Sequence, residues 1–275
     1  MNKLDKNVIE DFGKEWQAYN QTNVKSDELE KLFKNYFNIF PFELIGEKSE
    51  GFDMGCGSGR WAKLIAPNVR KLNCIEPSKL AIDEAKKNLK LFKNCIFFNN
   101  DVFANPLKDN SQDFGYCLGV LHHTSDTELG LKICTNKLKR GAPFLLYLYY
   151  KFDNKPFWFK SIWKISDYFR KIISKSPFKL KILITTLIAL LIYWPLARFS
   201  YIAHKLGYNI TNVPISSYKD VSFYTMKADA LDRFGTKLEK RFTKTEISEM
   251  MKEADLKNIK FSDKSPFWVA VGEKN

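Results

Sequence analysis

The chain has 275 residues, of which 45% are apolar, and its net charge is +13. The apolar share supplies a substantial core and excludes global disorder, and the length suits one large domain or a domain with an insertion. The charge points to an anionic partner, whether nucleic acid, lipid headgroups or a phosphorylated substrate.

The first residues, MNKLDKNVIEDFGKEW, are mixed in charge and lack the apolar stretch of a secretory signal. Phe12, Trp16 and Tyr19 lie close together here, either as an aromatic lid over a ligand or as the anchor of a terminal helix. Asp27 to Phe37 has apolar residues at helical spacing. Gly51 to Met54 reads as the end of a strand, and Arg60 to Ala66 as the helix after it. Leu72 to Ile75 is a second strand, and Ser78 caps a helix running to about Leu89. A third strand at Cys95–Phe98 and a fourth at Phe114–Val120 follow, then a helix at Thr127–Leu138 and a fifth strand at Phe144–Tyr150. Such alternation predicts a parallel sheet covered on both faces.

After Tyr150 the strand rhythm stops and resumes only near the end. Thr243 and Glu246 form the pattern of a capping box, and strands follow near Ile259–Phe261 and Phe267–Val271. The five cysteines, Cys56, Cys74, Cys95, Cys117 and Cys134, are odd in number and include no C-x-x-C pair. Reduced, buried thiols in a cytosolic protein are the expectation.

The most informative stretch is GFDMGCGSGRW, with glycines at 55, 57 and 59. Bare backbone at the end of a strand permits a tight turn and lets a ligand touch the main chain. The dinucleotide fingerprint G-x-G-x-x-G does not fit, because the third glycine comes one residue early and Arg60 fills its place. That disfavours an NAD(P)-dependent dehydrogenase.

The G-x-G-x-G spacing, with Asp53 two residues before Gly55, resembles the first motif of class I S-adenosylmethionine-dependent methyltransferases, small-molecule type. The resemblance covers residues 45–150 and 240–275. It implies a Rossmann-like α/β sheet with a helical insertion between the fifth strand and the last helix, and S-adenosyl-L-methionine as cofactor. It places Asp53, Gly55, Cys56 and Gly57 in the cofactor loop, and Glu76 with Pro77 at the ribose hydroxyls. Asp101 falls at the adenine amino group and Val102 beside the ring, while Leu118 and Gly119 run along the methionine part. Trp16 is a candidate lid contact. Taken alone, a turn or cap residue is the alternative reading of Asp101.

His122 and His123 follow the fourth strand. They are candidates for catalysis, as is Tyr224, but loop packing accounts for the pair as well, and no base is assigned. Lys219 and Arg233 are candidate substrate contacts. No metal site is expected, since His204 is the one further histidine and no acidic cluster has ligand spacing.

The expected organisation is an N-terminal helical segment, 1–44, an α/β domain from 45–150 and 236–275, and a basic, apolar helical cap from 151–235. Residues 151–205 hold 11 Lys and Arg against 2 Asp. Trp158, Ile162, Ile165, Phe169 and Ile172 make one apolar helix face, and 182–197 is uncharged throughout. Basic amphipathic helices suit an anionic membrane surface, and a packed cap helix is the alternative. At 16 residues, the uncharged run is short of the roughly 20 that span a bilayer. A single crossing would also separate the last strands from their sheet. The run therefore meets membrane, cap core or a second subunit.

These features predict methyl transfer to a small or lipid-like acceptor in a cap-covered site, by a protein that is cytoplasmic and peripheral to the inner membrane face. An RNA or other nucleic-acid methyltransferase is an alternative. GVLHHT lacks the N-P-P-Y-like sequence that grips a flipped base, which disfavours nucleic acid. A non-catalytic membrane-associated binding protein is a further alternative.

Overall fold

A computed structural model describes residues 6–21 and 23–275. In chain order the elements begin with α1 (Lys6–Ala18), α2 (Ser26–Tyr36), β1 (Glu50–Met54), α3 (Ala62–Ile65), β2 (Lys71–Ile75) and α4 (Lys79–Asn88). Then come β3 (Cys95–Phe98), β4 (Phe114–Leu118), α5 (Thr127–Asn136) and β5 (Pro143–Tyr147). Four helices succeed them: α6 (Phe157–Ile173), α7 (Phe178–Ile188), α8 (Trp194–Lys205) and α9 (Phe223–Gly235). The chain finishes with α10 (Lys244–Glu253), β6 (Leu256–Phe261) and β7 (Val269–Lys274). These elements divide into two compact units, one of residues 1–22, 30–151 and 238–275 and one of residues 23–29 and 152–237.

The larger unit is built on a seven-stranded sheet in the order β3-β2-β1-β4-β5-β7-β6. The first five strands run parallel. The parallel sheet expected from the alternation is present in these five strands, and β7 then pairs antiparallel with β5 and with β6. The reason is local: the β6–β7 link is short enough to form a hairpin, whereas a parallel neighbour needs a crossover of a dozen residues or more. The central strands are buried on both faces, with Phe52, Phe114, Tyr116, Phe144 and Leu146 excluded from solvent. Between β1 and β4, each phenylalanine lies over a glycine on the other strand. A Cβ on Gly51 would stand 2.3 Å from the Phe114 ring, and one on Gly115 would stand 2.3 Å from that of Phe52. The register that pairs Gly51 with Phe114 and Phe52 with Gly115 is therefore fixed by packing.

Three elements are shorter than the sequence suggests. The helix after the glycine loop is a single α-turn, because Pro67 removes an amide donor and the chain continues as a 3-10 turn at Ala66–Asn68. The fourth strand stops at Leu118, because Gly119 turns the chain at φ +78°. The fifth stops at Tyr147, and Tyr150 bridges instead to Phe242. The α4 cap and the α10 capping box form as expected: Ser78 accepts from the Ala81 amide, and Thr243 and Glu246 cap each other's backbone. All five cysteines are buried and unbridged.

The smaller unit is helical. Its core gathers Ile173, Ala189, Tyr193, Ala197, Met226, Ala230 and Phe234. Helix α7 continues through a π-turn, Ala189–Tyr193, directly into α8. Glu28 ties the start of α2 to α9, accepting from the Ser222 amide at 3.0 Å and the Thr225 hydroxyl at 2.7 Å.

Candidate active site

In an open α/β sheet, ligands bind beyond the carboxyl ends of the strands where the strand order reverses. Here that point lies between β1 and β4. The loop Gly55–Gly59 leaves β1 and the loop Gly119–Thr124 leaves β4, so the two most unusual stretches of the sequence flank it. The two loops touch, since a Cβ on Gly55 would meet Val120 at 2.4 Å.

The glycine loop is held from below. Gly55 and Cys56 both donate to the Ile75 carbonyl at the end of β2. Glu76, next in line, accepts from the Gly57 amide at 3.0 Å through Oε2 and from the Ser78 amide at 2.9 Å through Oε1. Burial pushes its carboxyl up to about 7 against those two amide donors. Asp53 is also buried, and its Oδ2 has no hydrogen-bond partner. Burial, with a smaller contribution from Glu76, pushes it up to about 8. Cys56 is buried beneath the loop and donates weakly to the Gly57 carbonyl.

Trp16, from α1, lies on top of the loop. A Cβ on Gly57 would stand 2.7 Å from its indole, and Gly57 itself sits at φ +53°, where a side chain is strained. At Gly119 the space is open, with nothing within 4 Å of an added Cβ. A cradle beside Gly119, an orphaned acidic oxygen on Asp53 and free lone pairs on Glu76 together fit a ligand with polar hydrogens lying along these loops. Asp101 accepts from the Ala104 amide at 2.9 Å as the cap of a 3-10 turn, which leaves its second oxygen for a ligand. The Val102 side chain is in the core. Pro77 carries a carbonyl that accepts from Asn99.

The histidine pair is buried. Segment 238–242 straps it in place: Lys240 donates its amide to the His122 carbonyl, and Phe242 donates to the Tyr149 carbonyl. His123 Nδ1 is 2.6 Å from the Leu238 carbonyl, which can only accept, so Nδ1 carries the proton. In the neutral ring Nε2 is then a bare lone pair, and it has no partner. His122 stacks on Tyr149 at 3.9 Å between ring centres, and neither of its nitrogens is partnered. Burial, then the neighbouring His123 and Arg241, hold it well below the usual histidine range, so it is neutral. Phe12 from α1 lies 5.0 Å from His123.

Tyr149 and Arg241 did not emerge from the sequence as site residues. The Arg241 guanidinium lies 5.1 Å above the Tyr149 ring and pairs with the buried Glu239 at 2.7 Å. Their signal in sequence was slight, an arginine shortly before the capping box. Tyr224 lies on α9 of the helical unit, where Arg233 also donates to Ser166 at 3.2 Å. Among the described residues no group of three His, Cys, Asp or Glu is placed to hold a metal.

Residues 52–146 match a family model described as a methyltransferase domain. By this match residues 52–146 are similar to methyltransferase domains. A curated relative from Clostridium tetani, described as an uncharacterized RNA methyltransferase, is 32% identical over 99 residues, covering 34% of this chain. The chain spans only 20% of that relative's length. Among solved structures, an S-adenosylmethionine-dependent methyltransferase of Thermotoga maritima, described as a possible histamine N-methyltransferase, aligns over 98% of this chain and 100% of its own. Its TM-score is 0.53 at 14% identity. A chain of the Haloferax volcanii complex between the Trm112 methyltransferase activator and a protein described as a methyltransferase aligns over 95% of this chain and 96% of its own, with TM-score 0.53 at 12% identity. At such identities the likeness is one of fold, and it takes in nearly the whole chain.

Proposed function

We propose that this methyltransferase domain transfers a methyl group to a small or lipid-like acceptor. The observation that carries the reading is the pairing of the glycine cradle, floored by Glu76 and Asp53, with a histidine whose free Nε2 lies on the adjoining loop. Glu76 would hold the ribose hydroxyls, Asp101 the adenine amino group, and the Gly55–Gly59 and Leu118–Gly119 backbone the methionine end, with Trp16 above. When bound, S-adenosylmethionine supplies an electrophilic methyl on a sulfonium. The chain's own work is to position the acceptor and take its proton. Positioning alone accounts for about 7–11 kcal/mol of such a barrier. His123 accepts the proton at Nε2, while the Leu238 carbonyl fixes its ring, and His122 with Tyr149 forms a dry wall beside it. The protein acts on the cytoplasmic side, peripheral to the inner membrane face.

A second reading, methylation of RNA or another nucleic acid, draws support from the name of the C. tetani relative and from the net charge of +13. Incubation with labelled S-adenosylmethionine and separate pools of extracted lipid, small metabolites and RNA tests both. Label entering lipid or metabolites supports the first reading, and label confined to RNA overturns it.

A further inference from the structure

We infer that the helical unit carries a surface for an anionic lipid bilayer, on which it lies without crossing. The first observation is that its two principal helices are inverted in polarity. On α6 the Trp158, Ile162, Ile165, Phe169 and Ile172 stripe is exposed, Ile165 to 61%, whereas Arg170 is buried. Arg170 is accommodated by Asp167 at 2.7 Å and by the Thr236 carbonyl at 2.9 Å. The 28-residue run Phe178–Lys205 behaves alike. It turns Lys181, Thr185, Ala189, Ala197 and Ser200 inward together with Tyr193, and most of its leucines and other large apolar side chains outward, Leu191 to 68%. Burying small and polar groups while exposing large apolar ones is the reverse of what water selects.

The second observation is how the outer stripe stays straight. Leu180, Leu183 and Leu187 on α7 are followed 19 residues later by Phe199, Ile202 and Leu206, all exposed. Five α-helical turns take about 18 residues, so an unbroken helix would rotate the second set by about 100°. The π-turn at Ala189–Tyr193 absorbs the extra residue and returns both sets to one line. The result is a continuous apolar ridge about 40 Å long.

Charge selects the occupant. Lys164, Lys175 and Lys179 are exposed around these helices, as is Lys171, which pairs with Asp167 at 3.2 Å. A second copy of this face would bring lysine against lysine. An anionic leaflet meets the same lysines with opposite charge and takes up the ridge without a matching groove. Crossing is excluded by connectivity. Strand β5 precedes these helices, β7 follows them, and the two are neighbours in one sheet. Of the helices in between, only the 178–205 run is long and apolar enough to span.

Flotation of the full chain with phosphatidylcholine vesicles, with and without phosphatidylglycerol, tests the proposal. The protein is expected to float with the anionic vesicles. Recovery should fall with salt without vanishing, because the ridge is insensitive to screening. Replacing Lys164, Lys175 and Lys179 with glutamine should weaken binding by about fivefold per lysine. The triple change Leu183→Asp, Phe199→Asp, Ile202→Asp should abolish it, with far-UV circular dichroism unchanged because all three side chains are exposed. Failure to float, equal flotation of the aspartate variant, or a solution dimer that this variant dissociates would each overturn the proposal.

Discussion

The indole of Trp16 rests on Gly57, close enough that a Cβ there would stand 2.7 Å from its ring. The terminal helix and the glycine loop are thus in direct contact, and the aromatic residues near the start pack within the α/β unit. Trp16→Ala is expected to weaken S-adenosylmethionine binding by about tenfold, the scale of losing one aromatic face. Gly57→Val meets two obstacles, a left-handed backbone and the Trp16 ring, before it meets any cofactor, and should abolish binding. Calorimetry on both variants, with circular dichroism to verify folding, provides the check. Unchanged affinity in Trp16→Ala would remove the lid role.

Glu76 titrates near 7 in the folded protein because burial disfavours its charge. Hydroxyl donors from a ligand favour the carboxylate, so cofactor affinity should rise as pH increases through 7. Glu76→Gln should weaken binding by between about tenfold and a hundredfold and flatten this dependence. Isothermal titration between mildly acidic and mildly alkaline pH reads both effects.

Asp53 gives a stability signature with a definite sign. Its folded value of about 8 lies far above the unfolded carboxylate range, so the folded state holds a proton that the unfolded state has lost. Stability of the ligand-free protein should therefore fall as pH rises from about 4 to 8 and level off above. Asp53→Asn should make thermal melts less dependent on pH across that window. An identical pH profile in the variant would contradict the assignment.

His123→Gln tests the proton acceptor. If the acceptor is a hydroxyl, kcat should drop by about a hundredfold or more, with cofactor affinity within twofold of the parent. His122→Gln alters a neutral wall residue, and its kcat loss should be smaller.

Thr243→Ala should cost about 1 kcal/mol in chemical denaturation, because the Glu246 amide loses its cap.

The capping box and the Ser78 cap were legible in the sequence because each is a local pattern with one physical meaning, and the glycine turn after β1 was legible as bare backbone at a strand end. The stripe from Trp158 to Ile172 was legible as a helix face, but its exposure was not, since periodicity reports a face and not what covers it. The environment of His123 was hidden, because its ring is fixed by Leu238, 115 residues away. Arg241 over Tyr149 was hidden for the same reason. The direction of β7 is set by the length of a connection rather than by the residues of the strand.

The position of β7 has a consequence for synthesis on the ribosome. β6 touches the sheet only through β7, and β7 emerges after every other strand of the sheet. Helices α6 to α9 are translated before the strand that completes the sheet, so they leave the ribosome while the β5 edge is still open. During that interval the nascent chain exposes an unpaired strand and an apolar ridge together, and a holdase or a nearby membrane has its longest opportunity to engage it.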